Sequence, residues 1–340
     1  MHATSSIDGP ADAVRPLRTA KTRPSRPALF AQPLDVGRTL VSPPPVLRHV
    51  LPGLVEGSIG MVAASGGTGK TMFLLQLALA LAADRPICGG LFDEPDASVR
   101  RDRRPRRVLF VAAEECTRTM ALRLLTAIAP HVPVQPTLQD RDELLALRAT
   151  LEANLLIHAL AGRRPALFNG SGDPTPAYED LAIAAEGAEV IVLDPLRQIH
   201  DGEENCAATM NKVIVHLRTL VAGTPAVLIV AHHTSQASTL GGYAEHASSA
   251  RGSTAITDGV RWQLNLSRPR EDWLRTRGVA EEQAAWLLRV DLAKHNNCAP
   301  LAPQLLRRSQ GGLLTFVESC PPGSCGPSTR KRASPRGSRA

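Results

Sequence analysis

The stretch Ala64-Ser65-Gly66-Gly67-Thr68-Gly69-Lys70-Thr71 constrains the fold more than any other part of the sequence. It follows an apolar run, 59–63, and opens a second apolar run with helical character, 72–82. A strand, a glycine-rich turn and a helix N-terminus in this order direct several backbone N–H groups at one point. The positive end of the helix dipole attracts an anion to the same point. The stretch therefore predicts the phosphate-binding loop of a P-loop nucleotide hydrolase.

Each side chain in this loop has an expected task. Lys70 is placed to reach the β- and γ-phosphates of ATP, and the Thr71 hydroxyl to ligate Mg²⁺. Ala64 stands where the usual pattern has its first glycine, so the entry to the loop must adopt a conformation that a methyl group tolerates. The residues expected to bind nucleotide are Gly66, Gly67, Thr68, Gly69, Lys70 and Thr71.

Polar side chains follow three further apolar runs. Glu114 follows 108–113, Asp194 follows 190–193, and His233 lies shortly after 226–230. Short apolar runs that alternate with helical segments predict an α/β fold with a doubly wound, mostly parallel sheet. The carboxyl ends of parallel strands meet at one edge, where such sheets bind ligands. Asp194 is therefore expected to hold Mg²⁺ beside the phosphate loop.

Composition sets the broad class of the protein. A chain of 340 residues that is 43% hydrophobic can bury a substantial core, as one large α/β domain or two small ones. The net charge of +7 suits a polyanion partner, although a GC-rich coding sequence would explain the arginine excess equally well. The sequence has no apolar run of about 18 residues and no signal-peptide pattern, which predicts a cytoplasmic protein with no membrane partner. The cysteines lack paired spacing and are expected to be reduced.

Domain boundaries are predicted from the same composition. Residues 1–45 are rich in proline and arginine and predict a disordered basic arm. An ATPase domain is predicted for 46–318, with an arginine-rich insertion at 83–107 that is expected to be a solvated loop. Residues 319–340 predict a disordered basic tail. The sequence contains neither G-x-S-x-G nor H-E-x-x-H, and therefore does not carry the motifs of common serine hydrolases or zinc proteases.

Seven blocks in order resemble the RepA-type hexameric replicative helicases of IncQ-like broad-host-range plasmids, which are compact RecA/DnaB-like AAA-type motors. The resemblance implies a RecA-like fold, ATP hydrolysis between subunits of a hexameric ring, and translocation on single-stranded DNA in plasmid replication. Other replication proteins would be further partners. The blocks are LPGLVEGSIG (51–60), SGGTGKTMFLLQLA (65–78), VLFVAAEE (108–115), VIVLDPLRQIHDGEEN (190–205), LIVAHHTS (228–235), ARGSTAITDGVRW (250–262) and AKHNNCAP (293–300).

The resemblance also implies roles for individual residues. Glu114 matches the carboxylate that activates the attacking water, and His233 matches the residue that couples the γ-phosphate to DNA-binding loops. Arg261 is the first choice for an arginine finger supplied to the neighbouring subunit, and Arg251 is the second. Lys294 would assist at the nucleotide. The polar segment 236–249 corresponds to a DNA loop in the central channel.

Two other classes of ATPase share parts of this pattern. Partition-type ATPases share the loop string, but their signature lysine would fall at Ser65, and its absence argues against them. A RecA-like ATPase that acts as a regulator, recombination mediator or loader has the same chemistry without unwinding. The sequence leaves this second alternative open.

Overall fold

The computed structural model describes residues 33–93, 102–133, 135, 137–234, 252, 254–277, 279 and 281–317. The chain divides into two units, 1–46 and 47–340, which are described separately. In the first unit, the described part contains helix α1, Val36–Val41, capped by the Asp35 carboxylate, which accepts a hydrogen bond from the Arg38 backbone N–H at 2.9 Å. No residue of α1 is buried. The helix lies inside the segment that the sequence predicts as a disordered arm, and the domain boundaries stay a prediction.

In the described part of the second unit, nine strands form one sheet in the order β11-β10-β9-β8-β3-β7-β6-β4-β5. The strands from β8 to β5 in this order are parallel, whereas β9, β10 and β11 are each antiparallel to their neighbours. Strands β1 and β2 form a separate antiparallel pair. The strands are β1 His49–Leu51, β2 Leu54–Val55, β3 Ile59–Ala64, β4 Val108–Ala112, β5 Leu155–Ala159, β6 Val190–Asp194, β7 Val227–His233, β8 Trp262–Ser267, β9 Leu287–His295, β10 Gln304–Arg308 and β11 Leu314–Val317.

Helices connect the parallel strands and cover both faces of the sheet. They are α2 Lys70–Ala83, α3 Thr117–Ile128, α4 Leu138–Asn154, α5 Pro176–Ala184, α6 Ala207–Val221, α7 Thr254–Gly259, α8 Glu271–Arg275 and α9 Glu281–Ala284. Short 3₁₀ turns occupy Ala129–His131, Leu196–Gln198 and Gln310–Gly312. None of the helices in the described ranges is long and apolar enough to cross a membrane.

The core lies in two layers because successive residues of a strand point to opposite faces of the sheet. Val62 of β3 belongs to a cluster with Phe73 of α2, whereas Met61 belongs to a cluster with Ile214 of α6. Strands β3, β4 and β6 are buried along their whole length, which explains their continuous apolar sequences. The predicted α/β fold with a doubly wound, mostly parallel sheet is confirmed.

One local expectation is wrong. The arginine run before β4 is not entirely a solvated loop, because Arg106 is 0% exposed. One of its Nη atoms lies 2.9 Å from the Asp102 carboxylate, and the other lies 3.7 Å from that of Glu189. A buried guanidinium requires such partners, so this arginine fixes the end of the insertion to the sheet.

Candidate nucleotide-binding and catalytic site

The loop between β3 and α2 has the backbone geometry of a phosphate-binding loop. Gly67 and Gly69 have φ angles of 72° and 105°, in the left-handed region that side chains other than glycine rarely adopt. Ala64 lies in β3 and pairs with Leu266 and His233 in the parallel ladders. It therefore belongs to the regular strand, which accommodates its methyl group. The Ser65 and Thr68 hydroxyls are 2.9 Å apart and bridge the base of the loop.

Lys70 is the first residue of α2 and its side chain is buried at this loop. Nζ donates to the Ala64 carbonyl at 3.3 Å and lies 3.3 Å from His233 Nδ1. Burial lowers the pKa of Lys70, and the carboxylates of Asp194 and Glu114 partly oppose that shift. The ammonium group therefore lies at the centre of the site, fixed by the Ala64 carbonyl and by His233.

Asp194 and Thr71 form the oxygen-rich side of the site. Asp194 ends β6, is 4% exposed, and pairs with Ala112 of β4. The Thr71 hydroxyl hydrogen-bonds to its carboxylate. Burial raises the pKa of Asp194, and the bonds to Thr71 and the charge of Lys70 counteract the effect. A hard cation would stabilise the charged form of this buried carboxylate and could also accept the Thr71 hydroxyl as a ligand.

This arrangement fits Mg²⁺, which takes oxygen ligands and usually binds through one or two protein side chains together with substrate phosphates. In the described residues, no group of three or more His, Cys, Asp or Glu side chains is arranged to hold a metal. The donor set is therefore suited to a metal that arrives with a nucleotide rather than to a permanent metal centre.

The two glutamates after β4 differ in their surroundings. Glu114 is exposed at the cleft, and its Oε1 accepts a hydrogen bond from Gln198 Nε2 at 3.0 Å. Glu115 is partly buried and ion-paired with Arg123 of α3. Glu114 thus leaves its carboxylate exposed in the cleft, while Glu115 is held against helix α3. The catalytic role of Glu114 stays a prediction from the resemblance.

His233 is half-buried at the end of β7, with Lys70 beside it. Burial lowers the pKa of this imidazole, and the positive charge of Lys70 lowers it further. The preceding residue, His232, is wholly buried and its Nδ1 lies 3.9 Å from a carboxylate oxygen of Glu204. The same carboxylate oxygen is 4.0 Å from His200 Nε2. A buried polar cluster thus lies directly behind the histidine that lines the cleft.

These side chains surround one cleft of about 250 Å³ at the carboxyl edge of the sheet. The structure brings together the loop, Lys70, Thr71, Glu114, Asp194 and His233 as the sequence predicts. Two cleft residues, Arg123 and Arg308, were not predicted. Arg123 lies about two helical turns beyond Glu115 in an ordinary amphipathic pattern, and Arg308 belongs to a strand, QLLRR, that has too few apolar residues to be predicted. Neither position carries a motif.

The basic residues predicted to act between subunits lie elsewhere. Arg261 is exposed immediately before β8, and its backbone N–H donates to the Ile59 carbonyl at 3.1 Å, at the amino end of β3. Lys294 pairs with Gln263 in the β8–β9 ladder and donates from Nζ to the Thr257 carbonyl at 2.7 Å. Both therefore lie at the edge of the sheet opposite the phosphate loop.

Arg261 and Lys294 are also electrostatic neighbours. Burial is the main cause that lowers the pKa of Lys294, and the charge of Arg261 contributes to the same direction. Arg251 and the segment 236–249 lie outside the described residues.

Comparison with known proteins agrees with this geometry. A model of the AAA domain family, AAA_25, matches residues 24–239, which is more than half of the chain. The chain belongs to this AAA family. It is accordingly an AAA-type P-loop ATPase, with the phosphate loop, Asp194 and Glu114 inside the matched segment.

Two solved structures have a similar fold. One is a DnaB-like replicative helicase studied with its interactions with primase, with a TM-score of 0.52, 15% identity, and coverage of 77% of this chain and 58% of that chain. The other is the ATPase domain of a second protein, with a TM-score of 0.50, 14% identity, and coverage of 77% and 86% respectively. The AAA protein thus spans little more than half the length of the first. At these identities the likeness establishes the fold.

Proposed function

We propose that this AAA protein is an ATP-dependent DNA helicase-type motor that hydrolyses ATP at subunit interfaces and translocates on single-stranded DNA. The observation that carries the proposal is the division of the site between two edges of the sheet. Phosphate-binding, metal-binding and water-activating groups share one cleft, whereas Arg261 and Lys294 lie at the opposite edge of the same chain. Arg261 and Lys294 could therefore reach a nucleotide only in the cleft of a neighbouring copy.

The chemistry follows from the positions of the side chains. The loop N–H groups and Lys70 bind the phosphates of ATP, and Thr71 with Asp194 would hold Mg²⁺, which supplies neutralising charge to those phosphates. Glu114 orients the attacking water and accepts its proton, and Gln198 holds this carboxylate in place at 3.0 Å. Arg261 of an adjacent copy would stabilise the transition state, with Arg251 as the second candidate.

A head-to-tail interface of this kind closes into a ring when its rotation permits. We infer a hexamer, as in the RepA-type helicases that the sequence resembles, and a role in replication of a plasmid or another mobile element. Single-stranded DNA in the central channel and other replication proteins would be the partners. Both structural neighbours, a DnaB-like replicative helicase and a separate ATPase domain, support a motor of this fold.

A forked-duplex assay tests the proposal. The protein, ATP and Mg²⁺ are incubated with a fork labelled on one strand, and strand release is measured against Lys70→Ala and against a non-hydrolysable ATP analogue. ATP-dependent release by the unmutated protein alone is expected. Hydrolysis stimulated by single-stranded DNA without strand release would instead favour a regulator, recombination mediator or loader, and would contradict the helicase assignment.

A further inference from the structure

An arginine from the C-terminal end of the sheet reaches the phosphate loop of its own chain. Arg308, the last residue of β10, donates from Nη1 to the Gly67 carbonyl at 3.1 Å. Its side chain lines the same cleft as Lys70, Glu114 and Asp194. The sequence motifs give no role to this residue.

The topology explains why β10 ends at this edge. Strand β8 runs parallel to β3, β9 runs antiparallel to β8, and β10 runs antiparallel to β9. Two reversals restore the original direction, so β10 ends at the edge where β3 enters the loop. The position of Arg308 is therefore a property of the sheet and not of a surface loop.

The pleat of β10 directs Arg308 toward α2. Residues 306 and 308 share one face of the strand because side chains alternate. Leu306 is wholly buried in the cluster that contains the apolar residues of α2. Arg307 points to the other face and is exposed. Arg308 is on the face of β10 that packs against α2. At the end of the strand this face meets the start of α2, where the phosphate loop lies.

A second contact holds this end of the sheet to α2. Gln76 of α2 is 8% exposed; its Nε2 donates to the Leu314 carbonyl at 2.8 Å, and its Oε1 accepts from the Leu314 N–H at 2.9 Å. Leu314 is the partner of Arg308 in the β10–β11 ladder. The backbone that carries Arg308 is thus anchored to the helix that carries Lys70.

Arg308 donates to a neutral backbone carbonyl, which is a weaker acceptor for a guanidinium than a charged oxygen. In the described part of the chain, its side chain bonds to a neutral carbonyl and not to a carboxylate. A guanidinium has five donors, and a phosphate accepts shorter, charge-assisted and often bidentate bonds from it. We propose that Arg308 binds the terminal phosphates of ATP in cis, as a nucleotide contact contributed by β10. The inference rests on the nucleotide-binding part of the proposed function and not on DNA unwinding.

Equilibrium binding of fluorescent ATP, ADP and AMP analogues, without DNA, tests this contact. Arg308→Ala should weaken ATP binding by about ten- to a hundredfold, ADP binding less, and AMP binding not at all. Arg308→Lys should restore part of the loss because a point charge remains. Arg307→Ala is the matched control, since it removes the same side chain from the opposite face of β10. Equal weakening for all three nucleotides, or a loss no greater than that of the control, would overturn the inference.

A mixing experiment separates a contact within the chain from one between chains. The mixture is assayed at an ATP concentration that saturates the unmutated protein but not Arg308→Ala. Lys70→Ala and Arg308→Ala subunits should then not restore hydrolysis when mixed, because each site still lacks one group of its own chain. Recovery of hydrolysis in this mixture would show that Arg308 acts on a neighbour and would refute the contact in cis. The binding measurements depend on neither a ring nor unwinding, so their outcome is independent of the helicase assay.

Discussion

Lys70 Nζ and His233 Nδ1 lie 3.3 Å apart and join the phosphate loop to the end of β7. An ammonium group can only donate, so His233 Nδ1 accepts and the imidazole carries its proton on Nε2. The lowered pKa of His233 keeps the ring neutral at pH 7. If Lys70 turns toward a γ-phosphate, its contact with His233 changes, and the neutral imidazole can donate its one N–H to the phosphate.

The first prediction concerns this contact. His233→Ala should keep basal ATP hydrolysis within a few-fold of the unmutated protein and lose its stimulation by single-stranded DNA, because the link between Lys70 and β7 is removed. His233→Gln should retain part of the stimulation, since an amide still donates and accepts. The measurement is the ratio of steady-state ATPase rates with and without single-stranded DNA. An unchanged ratio in His233→Ala would exclude the coupling role.

The stimulation itself should depend on salt. Contacts to DNA phosphates release counterions, so stimulation should fall steeply between about 50 and 200 mM salt, while basal hydrolysis changes little. Stimulation that does not respond to salt would argue against phosphate contacts with the DNA.

A second prediction separates binding from turnover. Lys70→Ala should abolish hydrolysis and weaken nucleotide binding, because the ammonium contacts phosphate in both ground and transition states. Glu114→Gln should bind ATP normally and lose about 10²- to 10⁴-fold in turnover, as expected for a general base. Titration with a fluorescent ATP analogue and single-turnover hydrolysis provide the two readouts.

Glu115→Gln is the comparison for the second prediction. The Glu115 carboxylate is ion-paired with Arg123, so its replacement should cost far less turnover than that of Glu114. If Glu115→Gln were the more damaged variant, the two glutamates would have to exchange roles.

A third prediction concerns the shared site. Arg261→Ala alone should lose about 10³-fold or more in hydrolysis, as for a missing arginine finger. Mixing Arg261→Ala with Lys70→Ala subunits should restore some activity, because an intact phosphate loop can then face an intact finger. Normal hydrolysis by Arg261→Ala would move the finger to Arg251. Full activity of both variants in a protein that sediments as a monomer would refute the shared site.

A fourth prediction concerns acid stability and the buried His200. Its surroundings contain Glu204 at 4.0 Å, Arg197 and His232. Burial lowers the pKa of His200 below the ordinary value of 6.5; Glu204 opposes the shift, and Arg197 and His232 add to it. Between that lowered pKa and 6.5, the unfolded chain binds more protons than the folded chain. The folded state is therefore favoured above pH 6.5 and loses stability as pH falls through this window.

Chemical denaturation at several pH values measures this effect. The contribution of one histidine has a limiting slope of about 1.4 kcal/mol per pH unit in the free energy of unfolding. His200→Gln should show a shallower dependence between pH 7 and 5 than the unmutated protein, whatever its stability at pH 7. Identical slopes in the two proteins would mean that His200 does not titrate on unfolding.

The sequence predicted the parallel strands β3, β4, β6 and β7 because each of them is largely a continuous apolar run. Glu114, Asp194 and His233 could be assigned to one edge on this basis, and the structure places them in one cleft. Strand β8, which is also parallel, was not identified because the buried Gln263 and Asn265 interrupt its apolar residues. The antiparallel strands β9 to β11 were not identified. These strands are buried over only part of their length, and charged side chains such as Arg289 and Arg307 interrupt their apolar residues.

Contacts between segments far apart in the sequence could not be predicted, because no nearby motif marks them. Arg308 approaches Gly67 across 241 positions of sequence, and its place in the cleft depends on the register of β9 and β10. Arg106 could not be distinguished from the exposed arginines around it, because its burial depends on Glu189 and Asp102. Spacing rules identify groups that adjoin one strand or helix, and these residues are brought together by the sheet as a whole.

The paired hydrogen bonds between Gln76 and Leu314 have a mechanical consequence. Helix α2 begins at the phosphate loop, and its second turn is attached by two bonds to the outermost strand of the sheet. A displacement of the loop when ATP binds or phosphate leaves would therefore pull on β11 as well as on β7. The antiparallel edge of the sheet is thus attached to the phosphate loop by two routes, directly through α2 and through the ladder of intervening strands.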